Sequence, residues 1–323
     1  MANQTPVLGV EIAGWGGALP AESLTNDELI ARYSLDSSDA WIRERTGIER
    51  RSICSEDENL VALATDAGRR ALESTGLTPP RTIDKLFLGS TTPYRDVPGS
   101  HPAITRALGE LGYSFTSSKE SNTACTGFVT SLLDGYRSFA VDGIDSALVI
   151  GADTLSSITD YTDRSTAILF ADGAGAVAMQ RTDRDSGLLG WHEETDGTVE
   201  EILFCERGGS IQMDGQEVFK RAVKVMIKAG EIALEKSETD VEALALTVPH
   251  QANLRIIELA GRKLGIPLHR MAVTINKHGN TSSASIPLAL AEAADAGRIA
   301  RGAKIMMVGF GAGMTAAAAV IEW

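Results

Sequence analysis

Three residues that could do chemistry stand in separate stretches of this chain. Cys125 lies in Ser121-Asn122-Thr123-Ala124-Cys125-Thr126-Gly127-Phe128, where small polar residues give way to helical apolar spacing. A cysteine at a helix start gains from the dipole and from unpaired backbone N–H groups, both of which favour thiolate. The expected thiol pKa is therefore below the free value of about 8.5. A lone cysteine is more commonly a buried inert thiol. Cys54 and Cys205 keep that reading, because neither starts a helix. His250, in Val248-Pro249-His250-Gln251-Ala252-Asn253, follows the C-terminal end of a strand, where open α/β sheets place their sites. Asn280, in Lys277-His278-Gly279-Asn280-Thr281-Ser282, reads as a loop entering a helix, where a lone Asn is usually a cap. His278 reads as a loop residue. Phe310-Gly311-Ala312-Gly313 follows a strand and could bring backbone N–H groups to an oxyanion.

The elements that must carry these residues form two similar series. The first half opens with the apolar run Val7 to Ala13, followed by a capping box at Thr25 and Glu28. A helix is expected from about Asn59 to Ser74, stopped by Gly76, then a strand at Lys85–Gly89. Phe128, Leu132, Tyr136 and Phe139 give the stretch after Cys125 a helical period, and a strand follows at Ala147–Gly151. The second half repeats the order: a helix over 216–235, a strand over 243–248, helices over 253–264 and 285–296, and a strand over 304–309. Tandem strand-helix-strand units predict parallel sheets covered by helices. If the halves are duplicates, over 1–171 and 172–323, Cys125 and Asn280 occupy corresponding helix starts. A site would then form where the halves meet.

Composition narrows the function. The chain has 323 residues with a net charge of −13, which argues against the basic footprint of a nucleic-acid binder. With 5% aromatics, the core must come from Ala, Val, Ile and Leu, which suits buried strands. No signal-peptide pattern opens the chain, and the most apolar stretch, Lys304 to Ile321, is broken by glycines and shorter than the about 20 residues of a membrane span. Three separated cysteines suit the reducing cytoplasm, and the five histidines lack metal-ligand spacing. Asp172-Gly173-Ala174-Gly175-Ala176 lacks the full dinucleotide fingerprint. Lys220, Lys224 and Lys228 recur on one helix face, with Arg221 beside them and Arg255, Arg262 and Lys263 on the helix after His250. Such runs usually end as solvated faces. Beside a site mouth they could instead dock an acidic carrier or a phosphate-bearing substrate.

Together the motifs resemble the β-ketoacyl-acyl-carrier-protein synthase III family of the thiolase superfamily, from about Val7 to Trp323. The matching stretches are Trp41-Ile42-Arg43-Glu44-Arg45-Thr46-Gly47-Ile48, Cys125-Thr126-Gly127-Phe128, Thr162-Asp163-Arg164, Phe170 to Ala176, Val248 to Asn253 and His278 to Ser282. The resemblance implies an α/β fold of thiolase type, layered αβαβα from two related halves, and a homodimer. It implies a Cys125, His250 and Asn280 triad and an oxyanion hole from the N–H groups of Cys125 and Ala312. Coenzyme A contacts would fall on Trp41, Arg45, Arg164, Asn253 and Arg255. Docking of an acidic acyl carrier protein would fall on Lys220, Arg255, Arg262 and Lys263. An acyl pocket would include Val97, Thr126, Phe219 and Phe310. The implied reaction is decarboxylative condensation of an acyl-CoA primer with malonyl-carrier protein, with coenzyme A as part of the substrate and no metal or further cofactor.

Several positions depart from the family pattern. Thr126 stands where Ala is more usual, Val97 where many members carry a Phe that closes the partner's acyl pocket, and Lys119-Glu120-Ser121 is more polar than the usual approach to the nucleophile. The segment from Gly197 to Met213 is shorter than usual. These departures point to a primer bulkier or more polar than acetyl. They also leave open acyl transfer to a hydroxyl or amine on the same fold. A non-catalytic partner subunit would have no chemical need for Cys125, His250 and Asn280 together.

Overall fold

Local signals set most element boundaries in the computed structural model, which describes residues 5–323. Thr25 Oγ1 accepts the Glu28 N–H, and the Glu28 carboxylate accepts the Thr25 N–H, the reciprocal cap expected from their spacing. Asn59, Asn253 and Asp163 cap three further helices with their side chains. The first half runs β1 (Val7–Leu8), β2 (Val10–Ala18), β3 (Ser23–Thr25), α1 (Asn26–Tyr33), α2 (Asp39–Thr46), β4 (Arg50–Ser52) and α3 (Leu60–Ser74). It continues with β5 (Arg81–Gly89), α4 (His101–Glu110), β6 (Tyr113–Ser121), α5 (Gly127–Val141), β7 (Ser146–Thr154), α6 (Arg164–Ala167) and β8 (Asp172–Arg181). Then come β9 (Gly187–Thr195), the ribbon β10 (Leu203–Cys205) and β11 (Ile211–Met213), and α7 (Gly215–Lys236). The chain ends with β12 (Leu244–Pro249), α8 (Leu254–Leu264), α9 (Ile275–His278), α10 (Ser285–Asp295), β13 (Lys304–Gly311) and β14 (Thr315–Glu322).

Two five-stranded sheets form, in the orders β2-β8-β7-β5-β6 and β1-β9-β14-β13-β12. Both are mixed, where the tandem units predicted parallel pairing. β5 pairs in parallel with β6 and β7, and β12 with β13. β8 and β14 are antiparallel to both of their neighbours. The reason for β14 is short-range: only Ala312–Met314 separates it from β13, too little chain for a parallel crossover. β8 closes the first sheet, so the expected division after Ala171 is displaced to the turn between Arg181 and Gly187. β1 goes the other way and borders β9.

The duplication is visible in strand order and sense. β2, β8, β7 and β5 of one sheet answer to β9, β14, β13 and β12 of the other, antiparallel and parallel pairs matching throughout. α5 and α10 are the corresponding helices, each leading into the strand next to the hairpin partner. They share one core between the sheets, with Phe128, Leu132, Tyr136 and Phe139 from α5 and Ile286, Ala289, Leu290 and Ala293 from α10. Burial of each large side chain there contributes about 1.5–3 kcal/mol. α3 and α4 cover the outer face of the first sheet, and α7 and α8 that of the second. The result is the five-layered αβαβα thiolase arrangement, with the starts of both central helices near one another.

Candidate active site

Cys125 sits in the turn between β6 and α5, one residue before the helix cap Thr126. The turn is tight: Ala124 holds φ at +51°, a left-handed conformation uncommon outside glycine. Two glycines let other chain segments press against it. A Cβ at Gly311 would lie 2.7 Å from the Cys125 nitrogen, and one at Gly127 would lie 2.8 Å from Ser283 Oγ. The close approach of Gly311 brings the β13–β14 turn, with Ala312 next in sequence, against the nucleophile's backbone.

His250 follows β12, and its N–H donates to Val308 O at 2.8 Å. Its Nδ1 lies 2.6 Å from Ser285 Oγ, which also accepts the Gln251 N–H at 3.3 Å. Ser285 thus engages Nδ1, and in the tautomer that carries its proton on Nε2 the Ser285 hydroxyl is the donor to Nδ1. Phe310 packs edge-on to the ring at 5.3 Å. Burial lowers the imidazole pKa to about 3, so His250 is neutral at physiological pH.

Asn280 is held by its backbone. Its N–H donates to Leu169 O and its carbonyl accepts the Ala171 N–H, each at 2.9 Å, in a bridge beside Phe170. The Asn280 Oδ1 accepts the Ser282 N–H at 2.9 Å, which leaves Nδ2 free to donate. Phe170 to Ala176, which lacks a dinucleotide fingerprint, thus serves as the seat of Asn280 and as the start of β8.

The thiol departs from expectation. Burial pushes Cys125 up to about 12, a hydrogen bond with Ser282 pulls the other way, and the Asp153 charge raises it further. The helix begins two residues beyond Cys125, and the closed surroundings outweigh any gain from its start. The resting pair is a neutral thiol and a neutral imidazole. Cys54 is half-buried, its thiol pushed up by burial and by Asp172, and Cys205 is exposed at the end of β10.

Cys125, His250 and Asn280 line one narrow cavity of about 90 Å³. Phe219 and Phe310 line it too, along with Val218, Ile256 and the ribbon residues Leu203 and Met213. Val97 and Thr126 do not. Val97 is 83% exposed in the loop before α4. Thr126 is buried, and its hydroxyl donates to Thr123 O at 2.6 Å beside Thr315, so its proton is already used. Arg45 and Arg164 both lie over the Trp41 ring, at 4.5 and 4.9 Å. Asn253 caps α8 and donates to Arg45 O at 2.9 Å, and Arg255 lies over Phe219 at 5.5 Å. Asn253 joins this group to the cavity, which it lines together with Phe219. His278 bonds Glu292 and lies outside the cavity lining. The sequence does not single out Ser282, Ser285 or Asp153: the two serines belong to a run of hydroxyls after Asn280 that looks like any helix entry, and Asp153 is a lone carboxylate near a strand end.

Comparison with known proteins agrees with this geometry. Residues 120–197 match the family model described as 3-oxoacyl-[acyl-carrier-protein] synthase III, and residues 234–323 match its C-terminal model. The chain is 39% identical to a β-ketoacyl-[acyl-carrier-protein] synthase III of Xanthomonas campestris, over 97% of this chain and 98% of that one. It is 40% identical to one of Xylella fastidiosa, with the same coverage. The crystal structure of the 3-oxoacyl-[acyl-carrier-protein] synthase III of Aquifex aeolicus superposes with a TM-score of 0.91 at 39% identity, covering 98% of this chain and 100% of that one. A priming β-ketosynthase of the R1128 polyketide pathway superposes at 0.90 with 32% identity, over 99% and 98%. The first of the two matched models spans the Cys125 turn and the second carries His250 and Asn280. By sequence and by structure, then, this chain belongs to the 3-oxoacyl-[acyl-carrier-protein] synthase III family.

Proposed function

We propose that this chain condenses an acyl-CoA primer with malonyl-acyl carrier protein by decarboxylation, through an acyl-Cys125 intermediate. The observation that carries the reading is that His250, with Nδ1 engaged by Ser285, and Asn280, with Oδ1 engaged by Ser282, line one cavity with Cys125, so that Nε2–H and Nδ2 are the donors they can offer there. In the first half-reaction Cys125 sulfur attacks the thioester carbonyl, and its proton ends on the departing coenzyme A sulfur. Malonyl-carrier protein then enters. Its carboxyl carbon leaves as CO₂, and the electron pair of the broken bond forms an enolate whose oxygen takes hydrogen bonds from His250 and Asn280. The enolate carbon attacks the acyl carbonyl. The N–H groups of Cys125 and Ala312 hold the oxyanion, which collapses to expel the Cys125 thiolate, and solvent reprotonates it. Transfer to a hydroxyl or amine mainly needs a base, and two donors on neutral residues favour condensation. Intact-mass analysis after incubation with a panel of acyl-CoA thioesters tests the first step. The expected result is one acyl group per chain, on Cys125. No adduct with any primer, or an adduct on Cys54 or Cys205, would sink the reading.

Trp41, Arg45 and Arg164 suit the coenzyme A nucleotide by stacking and charge, with Asn253 and Arg255 toward the cavity. Arg255, Arg262 and Lys263 are exposed along α8, whereas Lys220 is already paired with Glu217 at 2.8 Å. An acidic carrier would dock on the α8 face. Reversing charge at Arg262 or Lys263 is expected to raise KM for carrier-bound malonate about tenfold at low salt and to leave a short malonyl-pantetheine analogue unaffected. The difference shrinks as salt shortens the screening length to about 8 Å at 0.15 M. Equal KM changes for both substrates would return the patch to a solvated face.

The reading extends to a homodimer. β6 is the edge of its sheet, and the nearby loop exposes Tyr94 and Val97. Pairing β6 with its copy across a two-fold axis would cover that edge and carry Val97 toward the partner's cavity. Light scattering should return twice the chain mass. The substrates and the unpaired cysteines suit the cytoplasm.

A further inference from the structure

Asp153 is fully buried near the end of β7 and has no salt-bridge partner among the described residues. Its carboxylate is held by neutral donors instead. Oδ1 accepts from the N–H and hydroxyl groups of Thr91 and Thr92, at 2.6–3.1 Å, and from Ser90 Oγ at 3.2 Å. Oδ2 accepts the Ser283 N–H at 3.0 Å. Ser283 in turn donates its hydroxyl to Ala124 O at 3.0 Å, the carbonyl just before Cys125. Three segments therefore converge on one carboxylate: the end of β5, the loop after Asn280 and, through Ser283, the nucleophile's turn. The Ser282 N–H that orients the Asn280 side chain is the neighbouring link of the same loop.

Burying a carboxylate without a cation is costly, and a site retains it only where its hydrogen bonds hold something in place. The negative charge is also adverse to thiolate at Cys125, so its benefit must lie elsewhere. We propose that Asp153 is a positioning residue of the condensation, its carboxylate clamping the Asn280 loop onto the Cys125 turn so that the enolate donors face the acyl group. This rests on the condensation reading above. Loading needs the nucleophile and the oxyanion hole, whose second donor comes from the β13–β14 turn seated on Cys125 through Gly311 and not through Asp153. Decarboxylation needs Asn280 as well, whose loop is the one the Asp153 carboxylate holds, so loss of the clamp falls on the second step.

The test is Asp153→Asn, nearly the same shape. Its Oδ1 can keep the Ser90–Thr92 donors, but its Nδ2 would then face the Ser283 N–H, donor against donor. Malonyl decarboxylation is expected to fall on the order of 10²-fold, the scale of an ångström misplacement, with acyl loading from acyl-CoA within a few-fold of wild type. The pH profile of Cys125 alkylation by iodoacetamide, read without substrate, should move to lower pH because a negative charge beside the thiol is gone. His250, the other titratable group at the cavity, stays neutral throughout. Equal changes in the two half-reactions, including none in either, overturn the positioning role, and an unmoved alkylation profile overturns the placement of the charge. Should Asp153→Asn fail to fold, Ser283→Ala removes the link to Ala124 and keeps the charge. It should slow decarboxylation more than loading with the alkylation profile unmoved, and wild-type rates in both steps would overturn the clamp. A wild-type chain that neither loads nor decarboxylates counts against the condensation itself, while the alkylation profile still tests the charge.

Discussion

Cys125→Ser is expected to lower acyl loading, and condensation with it, by about 10⁴-fold or more, the scale seen when a covalent nucleophile is removed. The reason is ionisation and bond chemistry together. The thiol of Cys125 is already held up at about 12 by burial. A hydroxyl in the same closed turn ionises far less readily, and the Ser282 hydrogen bond cannot compensate. The site loses nothing else, because Ser fits where Cys fits and the backbone N–H groups stay in place. Intact mass after incubation with the preferred acyl-CoA is the measurement. An acyl adduct forming at the wild-type rate would mean that Cys125 is not the nucleophile. Malonyl decarboxylation is expected to survive in the variant, since His250 and Asn280 remain.

His250→Ala and Asn280→Ala are each expected to lower malonyl decarboxylation by about 10²–10³-fold, the usual consequence of removing one donor from an oxyanion. Loading of Cys125 should remain within a few-fold of wild type, because the enolate forms only after the acyl-enzyme. Loading that falls as far as decarboxylation in both variants would show that the two residues do not divide the work in this way. The wild-type rate carries a pH signature as well. Burial lowers the His250 pKa to about 3, so its neutral, donating form is present above that pH and is lost only below it. Between pH 5 and 8 the decarboxylation rate should show no imidazole titration. A limb near the ordinary value of about 6.5 would mean that His250 titrates like a free side chain.

Much of this was readable from local sequence. The capping box at Thr25 and Glu28, the cap at Asn59 and the apolar period from Phe128 to Phe139 placed their elements to within a few residues. These signals are carried by residues three or four apart, so they survive without knowledge of the fold. Strand direction did not survive. Ala174 to Met179 in β8 and Ala316 to Ile321 in β14 are buried on both faces, and an apolar run reads the same in either direction. For β14 the three-residue link to β13 decides the direction, whereas the longer segment 155–171 before β8 would allow either, and β8 runs antiparallel to β7 only in the folded sheet.

At the site, the chain by itself determined the chemical parts. Cys125, His250 and Asn280 stand at a helix start, a strand end and a second helix start, and the repeat already paired the first with the third. The tertiary structure decided what those parts can do. Which way the Asn280 amide turns depends on the Ser282 N–H, and which nitrogen of His250 holds the proton depends on Ser285, far from it in sequence. The Thr126 hydroxyl, expected in the acyl pocket, is used up on Thr123. The Cys125 thiol, expected below the free value, is raised instead. A residue type fixes which donors, acceptors and protons are available, and that is written in the chain. Burial and hydrogen-bond partners decide which of them are free, and both are set by segments that meet only when the two halves close on each other.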